Sequence, residues 1–465
     1  MVRPPLRSAL AGALVAAGLL SGVPSLPPGV PERAHAADVP SDKPNLLFIM
    51  TDDQRAGTTS VMPRVEEAFD IRFTRAVVTT PVCCPSRASI LTGRYAHTTG
   101  VRKNGNYPAF RKRWEHRSLG PWLQAQGYRT GMIGKYMNRF GESHPVPPGW
   151  DEFYARVSGD HTTFRLREVV AAGAAARNEV VAYPNGETPS AYLTDVVGSL
   201  AEGFLDRSAS LADNPERKPW ALFLWPTAPH EPLTVAGAYQ DAPLPAWRPP
   251  PSFMERAIGD KPAEVRKSRR ARRSAAAHRT IRARQLRMLM SVDDMVGDVL
   301  DQVDALEMAG QTWGLFTSDN GYLWGEHRLT EKHFGYEESI RVPFRVMDPA
   351  AGPGRVDALV ANIDIAPTLL EMAGGAASSG VEGRSLVPLL EGAEEKVRSR
   401  IVIEAGSARG GYVGLRTGRW AYIHWRKSGR RELYNLRRDP HQLRNIARSR
   451  RSVVRGLERR LRAKL

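Results

Sequence analysis

Three strand-length runs of apolar residues, each followed by polar side chains, most constrain what this chain can fold into. The runs cover residues 45–50, 220–225 and 313–316. Continuous apolar runs of this length are typical of parallel strands that are buried on both faces. We therefore predict an α/β fold with a mostly parallel sheet sandwiched by helices.

Polar residues follow each of these runs. Asp52 and Asp53 come after the first, His230 after the second, and Asp319 and Asn320 after the third. In open α/β sheets the ligand site lies outside the carboxyl ends of the strands. We expect these side chains, far apart in sequence, to be neighbours in the folded protein.

The remaining sequence predicts a crossover helix and a second, smaller unit. Apolar residues recur at spacings of three and four over residues 289–306, the stripe of an amphipathic helix on a sheet. Residues 266–284 just before it are rich in Arg and Lys, and form either a basic surface for a polyanion or a solvated arm. Strand-like runs at 401–403 and 420–423, then a basic helix from about Ser452, predict a C-terminal α+β subdomain. We place the main domain at 37–392 and this subdomain at 393–465.

The N-terminus has the pattern of a secretory signal peptide. Arg3 and Arg7 precede an apolar run over residues 9–20, and an A-x-A cleavage pattern stands at 34–36. We predict removal of residues 1–36 and a secreted or extracytoplasmic protein without stable membrane insertion. The alternative is an uncleaved membrane anchor, but the run is shorter than the ~20 residues that span a bilayer.

Charge and composition narrow the class of protein. The chain has 465 residues, 42% of them hydrophobic, which excludes wholesale disorder. Its formal net charge of +17 favours an anionic partner without choosing one. The two cysteines, Cys83 and Cys84, are adjacent, so a disulfide framework and a multi-cysteine metal site are both excluded.

The cysteines open the most specific motif of the chain. Residues 83–94 read C-C-P-S-R-A-S-I-L-T-G-R, and this stretch resembles the type I sulfatase signature C-x-P-S-R-x-x-x-L-T-G-R at every fixed position. In that family a formylglycine-generating enzyme oxidises the first cysteine to Cα-formylglycine, the nucleophile, so the resemblance implies this modification of Cys83. The alternatives are a buried thiol beside a turn and a vicinal disulfide.

The resemblance also implies a metal and an anion site. The implied ligands of Ca²⁺ or Mg²⁺ are Asp52, Asp53, Asp319, Asn320 and the modified Cys83, and oxygen ligands suit such hard cations. The implied groups around the sulfate are Arg87 in the signature, Lys135 in Gly-Lys-Tyr, His230 in Ala-Pro-His-Glu-Pro, and Lys332 near the leaving group.

One position departs from the better-known family pattern. Many sulfatases have G-K-W-H, whose histidine acts as the base that expels sulfate, whereas Met137 stands at that place here. The stretch Gly-Lys-Tyr-x-Asn at residues 134–138 resembles the pattern in the branch that contains N-acetylglucosamine-6-sulfatases and extracellular heparan 6-O-endosulfatases. His97, expected on a helix that starts near Pro85, is a candidate for the missing base; the alternative is a histidine packed structurally against the sheet.

The resemblance implies an alkaline-phosphatase-like fold and the hydrolysis of sulfate monoesters. The expected substrate is a 6-O-sulfated glucosamine, a related sulfated glycan or a small sulfate ester, and no nucleic-acid partner is expected. Two alternatives stay open: a phosphoesterase or phosphonate hydrolase on the same scaffold, and an inactive glycan-binding relative.

Overall fold

The computed structural model describes residues 43–171, 176–186, 190–210, 212–268, 273–406 and 411–465. The predicted signal peptide, residues 1–36, lies outside the described residues, as do residues 269–272 of the basic segment. Among the helices in these ranges, none combines the length and apolar character needed to cross a membrane.

The strands of the described residues alternate with helices along most of the chain. The strands are β1 (Asn45–Thr51), β2 (Ile71–Val77), β3 (Arg129–Gly134), β4 (Glu152–Gly159), β5 (Phe164–Val170), β6 (Arg177–Tyr183), β7 (Trp220–Trp225), β8 (Thr312–Ser318), β9 (Leu323–Trp324), β10 (Thr330–Glu331), β11 (Phe344–Met347), β12 (Gly354–Ala361), β13 (Arg400–Ala405), β14 (Tyr412–Thr417), β15 (Trp420–Trp425) and β16 (Arg431–Asn435). The helices are α1 (Pro63–Ala68), α2 (Cys83–Thr92), α3 (Ala96–Thr99), α4 (Tyr107–Arg113), α5 (Leu119–Ala125), α6 (Leu193–Ala209), α7 (Ala263–Arg266), α8 (Ala275–Ala305), α9 (Glu337–Ile340), α10 (Ile365–Met372), α11 (Val387–Leu390) and α12 (Arg451–Arg462).

A ten-stranded sheet forms the centre of the fold, in the order β12-β2-β11-β8-β1-β7-β3-β4-β5-β6. The five neighbours β8, β1, β7, β3 and β4 are parallel. Strand β11 runs antiparallel to both of its neighbours, and β5 and β6 add an antiparallel edge. This topology confirms the mostly parallel sheet predicted from the apolar runs.

Helices cover both faces of this sheet, and β1 shows why its sequence is apolar throughout. Leu47 and Ile49 pack in the core that includes residues of α1, α6 and α8. Leu46, Phe48 and Met50 pack in the opposite core, with residues of α2, α4, α5 and α10. Because successive side chains of a strand point to opposite faces, burial of both faces requires an unbroken apolar run.

Helix α8 is the predicted crossover helix, but it begins earlier than the apolar stripe indicated. Ser274 caps its first turn by accepting a hydrogen bond from Ala277 N. Residues 275–284 are helical, and whether this part of the basic segment binds a polyanion or is only solvated stays a prediction. The guanidinium groups of Arg279 and Arg282 lie 5.3 and 5.0 Å from the ring centroid of Trp247.

The C-terminal region contains a separate antiparallel sheet in the order β13-β14-β15-β16. Helix α12 buries Val454, Leu457 and Leu461, the apolar positions of an amphipathic helix. Sheet and helix confirm the smaller α+β unit, and the boundary at 392/393 stays a prediction.

Candidate active site

The carboxyl ends of four adjacent parallel strands, β8, β1, β7 and β3, carry the polar residues predicted to meet. Thr51 at the end of β1 pairs with Ser318 at the end of β8, which places the residues after both strands side by side. The residues that follow these strand ends are Asp52 and Asp53 after β1, Asp319 and Asn320 after β8, His230 after β7, and Lys135 after β3.

Cys83 is the first residue of α2, two positions before the predicted start of that helix. Its buried thiol donates to Asp52 Oδ1 at 3.5 Å. Cys83 and Cys84 both have free thiols, so the vicinal disulfide is not formed. Burial, with Asp52 nearby, raises the pKa of the Cys83 thiol far above its usual range. An unmodified thiol held in this way is a poor nucleophile, because the thiolate is the reactive form.

Three buried cations face the three carboxylates of the site. The ammonium of Lys135 hydrogen-bonds to Asp52 Oδ2, and Lys332 Nζ lies 2.5 Å from Asp53 Oδ1. The guanidinium of Arg87 donates from Nε to Asp319 Oδ2 at 2.8 Å, and its Nη2 lies 3.6 Å from Asp52 Oδ2.

These charges set the protonation of the carboxylates. Burial alone would raise the pKa of Asp52, but the cations of Lys135, Arg87 and Lys332 hold it well below the usual range. Burial and the negative charge of Asp52 raise the pKa of Asp319 to about 6. Asp52 is thus firmly ionised, whereas Asp319 titrates closest to neutral pH among the site carboxylates whose pKa is shifted.

His230 approaches the carboxylates from the β7 side. Its Nδ1 is 2.5 Å from the backbone oxygen of Glu231, and because a carbonyl can only accept, Nδ1 carries the proton. In the neutral ring Nε2 is therefore unprotonated, and it lies 3.9 Å from Asp53 Oδ2. Burial lowers the pKa of His230 to about 4, which favours this neutral form.

The acidic cluster fits a hard divalent cation. Ligand atoms of Asp52, Asp53, Cys83 and Asp319 all lie within 4.8 Å of one another. Asn320 donates through Nδ2 to Asp53 Oδ1 at 2.6 Å, while its buried Oδ1 has no hydrogen-bond partner among the described residues. A free buried acceptor beside three carboxylates matches the oxygen ligands of Ca²⁺ or Mg²⁺.

His97 does not lie on the helix where the sequence placed it. Helix α2 ends at Thr92 with Gly93 in a left-handed conformation, and His97 lies on the separate helix α3. Its Nδ1 is 2.7 Å from Glu404 Oε1, which also accepts from the His97 backbone N at 3.0 Å. Its role as a base stays a prediction. Met137, which stands where many sulfatases have a histidine, is buried.

Glu404 is a residue that the sequence analysis missed. It lies in β13 of the C-terminal sheet, and its backbone N donates to Thr79 O just before α2. Its hydrogen bond to His97 raises the pKa of that histidine although burial alone would lower it. The available signal was a carboxylate inside the apolar run 401–405, where a strand buries it.

The chain belongs to the sulfatase family. It matches that family over residues 44–376. Residues 325–465 match the C-terminal region of N-sulphoglucosamine sulphohydrolase. Membership confirms the family that the signature indicated, and it places the chain in a family of sulfuric ester hydrolases.

Two relatives show which sulfatases the chain is similar to. It is 30% identical over 385 residues to the human N-acetylglucosamine-6-sulfatase, with 78% of this chain and 67% of that protein covered. It is 30% identical over 371 residues to the extracellular sulfatase SULF-1 homolog of Drosophila melanogaster, with 77% of this chain and 32% of that protein covered. The chain spans at most about half the length of the Sulf-1 homologs that it matches.

Solved structures confirm the alkaline-phosphatase-like fold. The protein BT4656, solved in complex with its substrate D-glucosamine-2-N,6-O-disulfate, has a TM-score of 0.73 and 23% identity to this chain, with 91% of this chain and 97% of that chain covered. The phosphonate monoester hydrolase of Agrobacterium radiobacter has a TM-score of 0.70 and 22% identity, covering 91% and 96%. At these identities the likeness concerns the fold.

Proposed function

We propose that this chain is an exported sulfatase that removes sulfate from a sulfated glycan, with 6-O-sulfated glucosamine as the preferred unit. The proposal includes formylglycine at position 83 and a divalent cation held by the acidic cluster. The observation that carries it is the position of the buried Cys83 Sγ, 3.5 Å from Asp52 Oδ1, with Lys135 and Arg87 on the other oxygen of that carboxylate.

The charge balance of the site supports an anionic substrate. The cations of Arg87, Lys135 and Lys332 match the three carboxylates in number. A divalent cation among those carboxylates would leave a surplus of positive charge among buried side chains. Fixed positive charge in a site that excludes water strongly favours an anion whose charge grows in the transition state.

In the candidate active site, one set of residues would hold the cation and residue 83 would supply the nucleophile. Asp52, Asp53, Asp319 and Asn320 would bind the cation through oxygen. When present, the cation polarises the sulfate and the modified residue 83 provides a hydroxyl nucleophile. Arg87 fixes Asp319 by its hydrogen bond of 2.8 Å.

We assign the remaining polar groups to the ester. Lys332 carries three N–H donors and uses two contacts of 2.5 Å on the oxygens of Asp53. Its ammonium is thus oriented, and a further donor can stabilise charge on the leaving oxygen. His230 offers an unprotonated Nε2, and Lys135, which hydrogen-bonds to Asp52, would also contact the sulfate.

Three similarities support the glycan substrate and the export. The human relative is named for N-acetylglucosamine-6-sulfate, and the structural neighbour binds a glucosamine disulfate. Relatives are named as extracellular sulfatases, in agreement with the predicted signal peptide.

Peptide mass spectrometry tests the modification and a substrate panel tests the activity. The chain is coexpressed with a formylglycine-generating enzyme, and the peptide that contains residues 83–87 is weighed. We expect formylglycine at 83 and hydrolysis of glucosamine-6-sulfate faster than of its 3-O-sulfated isomer. Unmodified Cys83 in protein from its natural host, with glycan binding but without turnover, would favour the inactive binding protein instead.

A phosphonate monoester hydrolase is the second candidate, because one of the structural neighbours has that activity. Phosphonate and sulfate monoesters both present a tetrahedral anion to the cations of the site. The same protein is assayed on matched aryl sulfate and aryl phosphonate esters. A higher kcat/KM on the phosphonate would reject the sulfatase proposal, and the reverse order would support it.

A further inference from the structure

A second basic feature lies in the C-terminal region and uses none of the residues placed in the candidate active site. It is a cavity of about 590 Å³ between residues 259–266, the end of the hairpin between β15 and β16, and the start of α12. Six arginines line it: Arg266, Arg430, Arg431, Arg448, Arg451 and Arg455. We call it the C-terminal basic groove.

The charges of this groove are largely uncompensated. All six arginines are exposed. The acidic residues of the lining are Asp260 and Glu458, and Glu458 already pairs with Arg431 at 2.5 Å. Within the described part of the chain, Arg448, Arg451 and Arg455 form no ion pair with a carboxylate. Mutual repulsion of these cations is unfavourable, and a bound polyanion would relieve it.

Helix α12 places its arginines in the groove through its amphipathic pattern. Val454, Leu457 and Leu461 fix one face against the C-terminal sheet. Arg451 and Arg455 are four residues apart, so they share a face of the helix and both reach the groove. The exposed Arg459 and Arg460 on the same helix do not line it. The position of the charge is thus set by the packing of the helix.

We propose that the C-terminal basic groove binds a sulfated polysaccharide chain and holds it on the enzyme apart from the site that cleaves sulfate. This inference rests on the proposed function for its choice of ligand. Arginine suits the task because its planar guanidinium donates two parallel hydrogen bonds to a sulfate or carboxylate oxygen pair.

The lining favours a glycan over a single-stranded nucleic acid. Proteins that bind single strands combine basic residues with aromatic side chains on which bases stack. The described lining of the groove contains Gly, Ala, Pro, Val and Asn beside its charged residues, and no aromatic side chain. It can pair with anionic groups along a chain but offers no surface for bases.

Hydrogen bonds connect the groove wall to the segment that carries Lys332. Lys261 Nζ donates to Gln442 O at 2.6 Å, and Gln442 Oε1 accepts from Glu337 N at 2.8 Å. Glu337 lies five residues after Lys332. These two hydrogen bonds link the wall of the groove to the segment that also carries Lys332 of the candidate active site.

Two double variants with the same loss of charge on one helix test the proposal. The groove variant is Arg451→Gln with Arg455→Gln, and the control is Arg459→Gln with Arg460→Gln. Binding of a fluorescent heparin oligosaccharide is measured at fixed salt, together with thermal unfolding. We expect about tenfold weaker binding for the groove variant, the effect of losing two exposed ion pairs, and less than about twofold for the control.

Equal weakening in both variants would overturn the proposal, because net charge rather than the groove would then govern binding. Tighter binding of a single-stranded DNA of equal charge would overturn the choice of a glycan. Hydrolysis of glucosamine-6-sulfate is measured on all variants and should stay unchanged. If the protein hydrolyses this monosaccharide but the groove variant binds heparin as well as the parent, the groove proposal alone is rejected. If the groove variant binds heparin more weakly but the parent protein does not hydrolyse the monosaccharide, the proposed function alone is rejected.

Discussion

The cations of the candidate active site and those of the C-terminal basic groove are arranged in opposite ways. Arg87 is fully buried and bonds Asp319 at 2.8 Å. Arg455 is exposed and forms no ion pair with a carboxylate of the described residues. In the candidate active site a fixed partner offsets the cost of desolvating each cation, whereas the cations of the groove remain in water.

The arrangement of the charges determines what each region can do. Buried charges act in a medium of low dielectric and are weakly screened, so their geometry decides chemistry at one small group. Exposed charges are screened by salt, and each is worth little alone, so they act by number on a ligand with many charges. Substitutions should therefore have large, salt-independent effects in the first region and small, salt-dependent effects in the second.

Loss of the nucleophile should reduce activity more than any other substitution. Cys83→Ala should abolish turnover of every sulfate ester, because it removes the only side chain that can be converted to formylglycine at that position. Cys84→Ala is the matched control, since Cys84 fills the variable place of the signature and should keep most of the activity. Equal losses in steady-state assays of the two variants would indicate a thiol mechanism that needs both residues.

Asp319→Asn should reduce kcat by about two to three orders of magnitude, the cost of removing a major electrostatic element from a preorganised site. It also leaves the buried Arg87 without its closest carboxylate. A readout besides activity is the rise in Tm on adding Ca²⁺ to chelator-treated protein, since a ligand that binds the folded state stabilises it. We expect this rise in the parent protein and a smaller one in Asp319→Asn. A full rise in the variant would exclude Asp319 from the cation site.

Most of the fold and most residues of the candidate active site could be predicted from the sequence, for a physical reason. A strand buried on both faces must be apolar, so β1, β7 and β8 are visible as runs, and the residues that follow them must meet at one edge. The signature then indicated Cys83 and Arg87 through resemblance. The pairing of Arg87 with Asp319 required the structure.

What the sequence did not reveal depends on contacts between distant parts of the chain. Glu404 lies more than three hundred residues from His97, and no local pattern connects a strand of the C-terminal sheet with α3. Likewise, the basic segment at 266–284 is continuous in the sequence, but Arg266 lines the groove whereas the guanidinium of Arg279 lies 5.3 Å from the ring centroid of Trp247. Tertiary packing divides a uniform stretch of charge into parts with different roles.

The pair of His97 and Glu404 should give an intermediate effect. If His97 is the base that completes turnover, His97→Ala should lower the steady-state rate about a hundredfold, within the usual range for a general base. The alcohol should still appear as an initial burst in stopped-flow assays. A normal steady-state rate without a burst would leave His97 with a structural role only.

Glu404→Gln separates the charge of this pair from its shape. The pKa of His97 is raised in the folded protein, so the stabilisation is fully present below the unfolded pKa of about 6.5 and is lost as pH rises through the folded value. The variant should therefore lose about 1 to 2 kcal/mol of unfolding free energy at acidic pH and little at alkaline pH. Denaturant titrations at both pH values measure this. An equal loss at both would show that the charge of His97 is not involved.

Substitutions at the start of α8 should change stability slightly and polyanion binding hardly at all. Arg279 and Arg282 lie over the ring of Trp247, and such contacts at exposed sites contribute about 0.5–1 kcal/mol each. The double variant Arg279→Gln with Arg282→Gln should reduce stability by about 1 kcal/mol while heparin affinity changes by less than about twofold.

The salt dependence of activity gives a second measurement on this variant. Its kcat/KM on a sulfated polysaccharide should fall with salt as steeply as in the parent protein. Its kcat/KM on an aryl sulfate should stay nearly constant, because long-range electrostatic steering of a singly charged substrate is weak. A salt profile flattened by this variant would assign polyanion binding to the start of α8 rather than to the C-terminal basic groove.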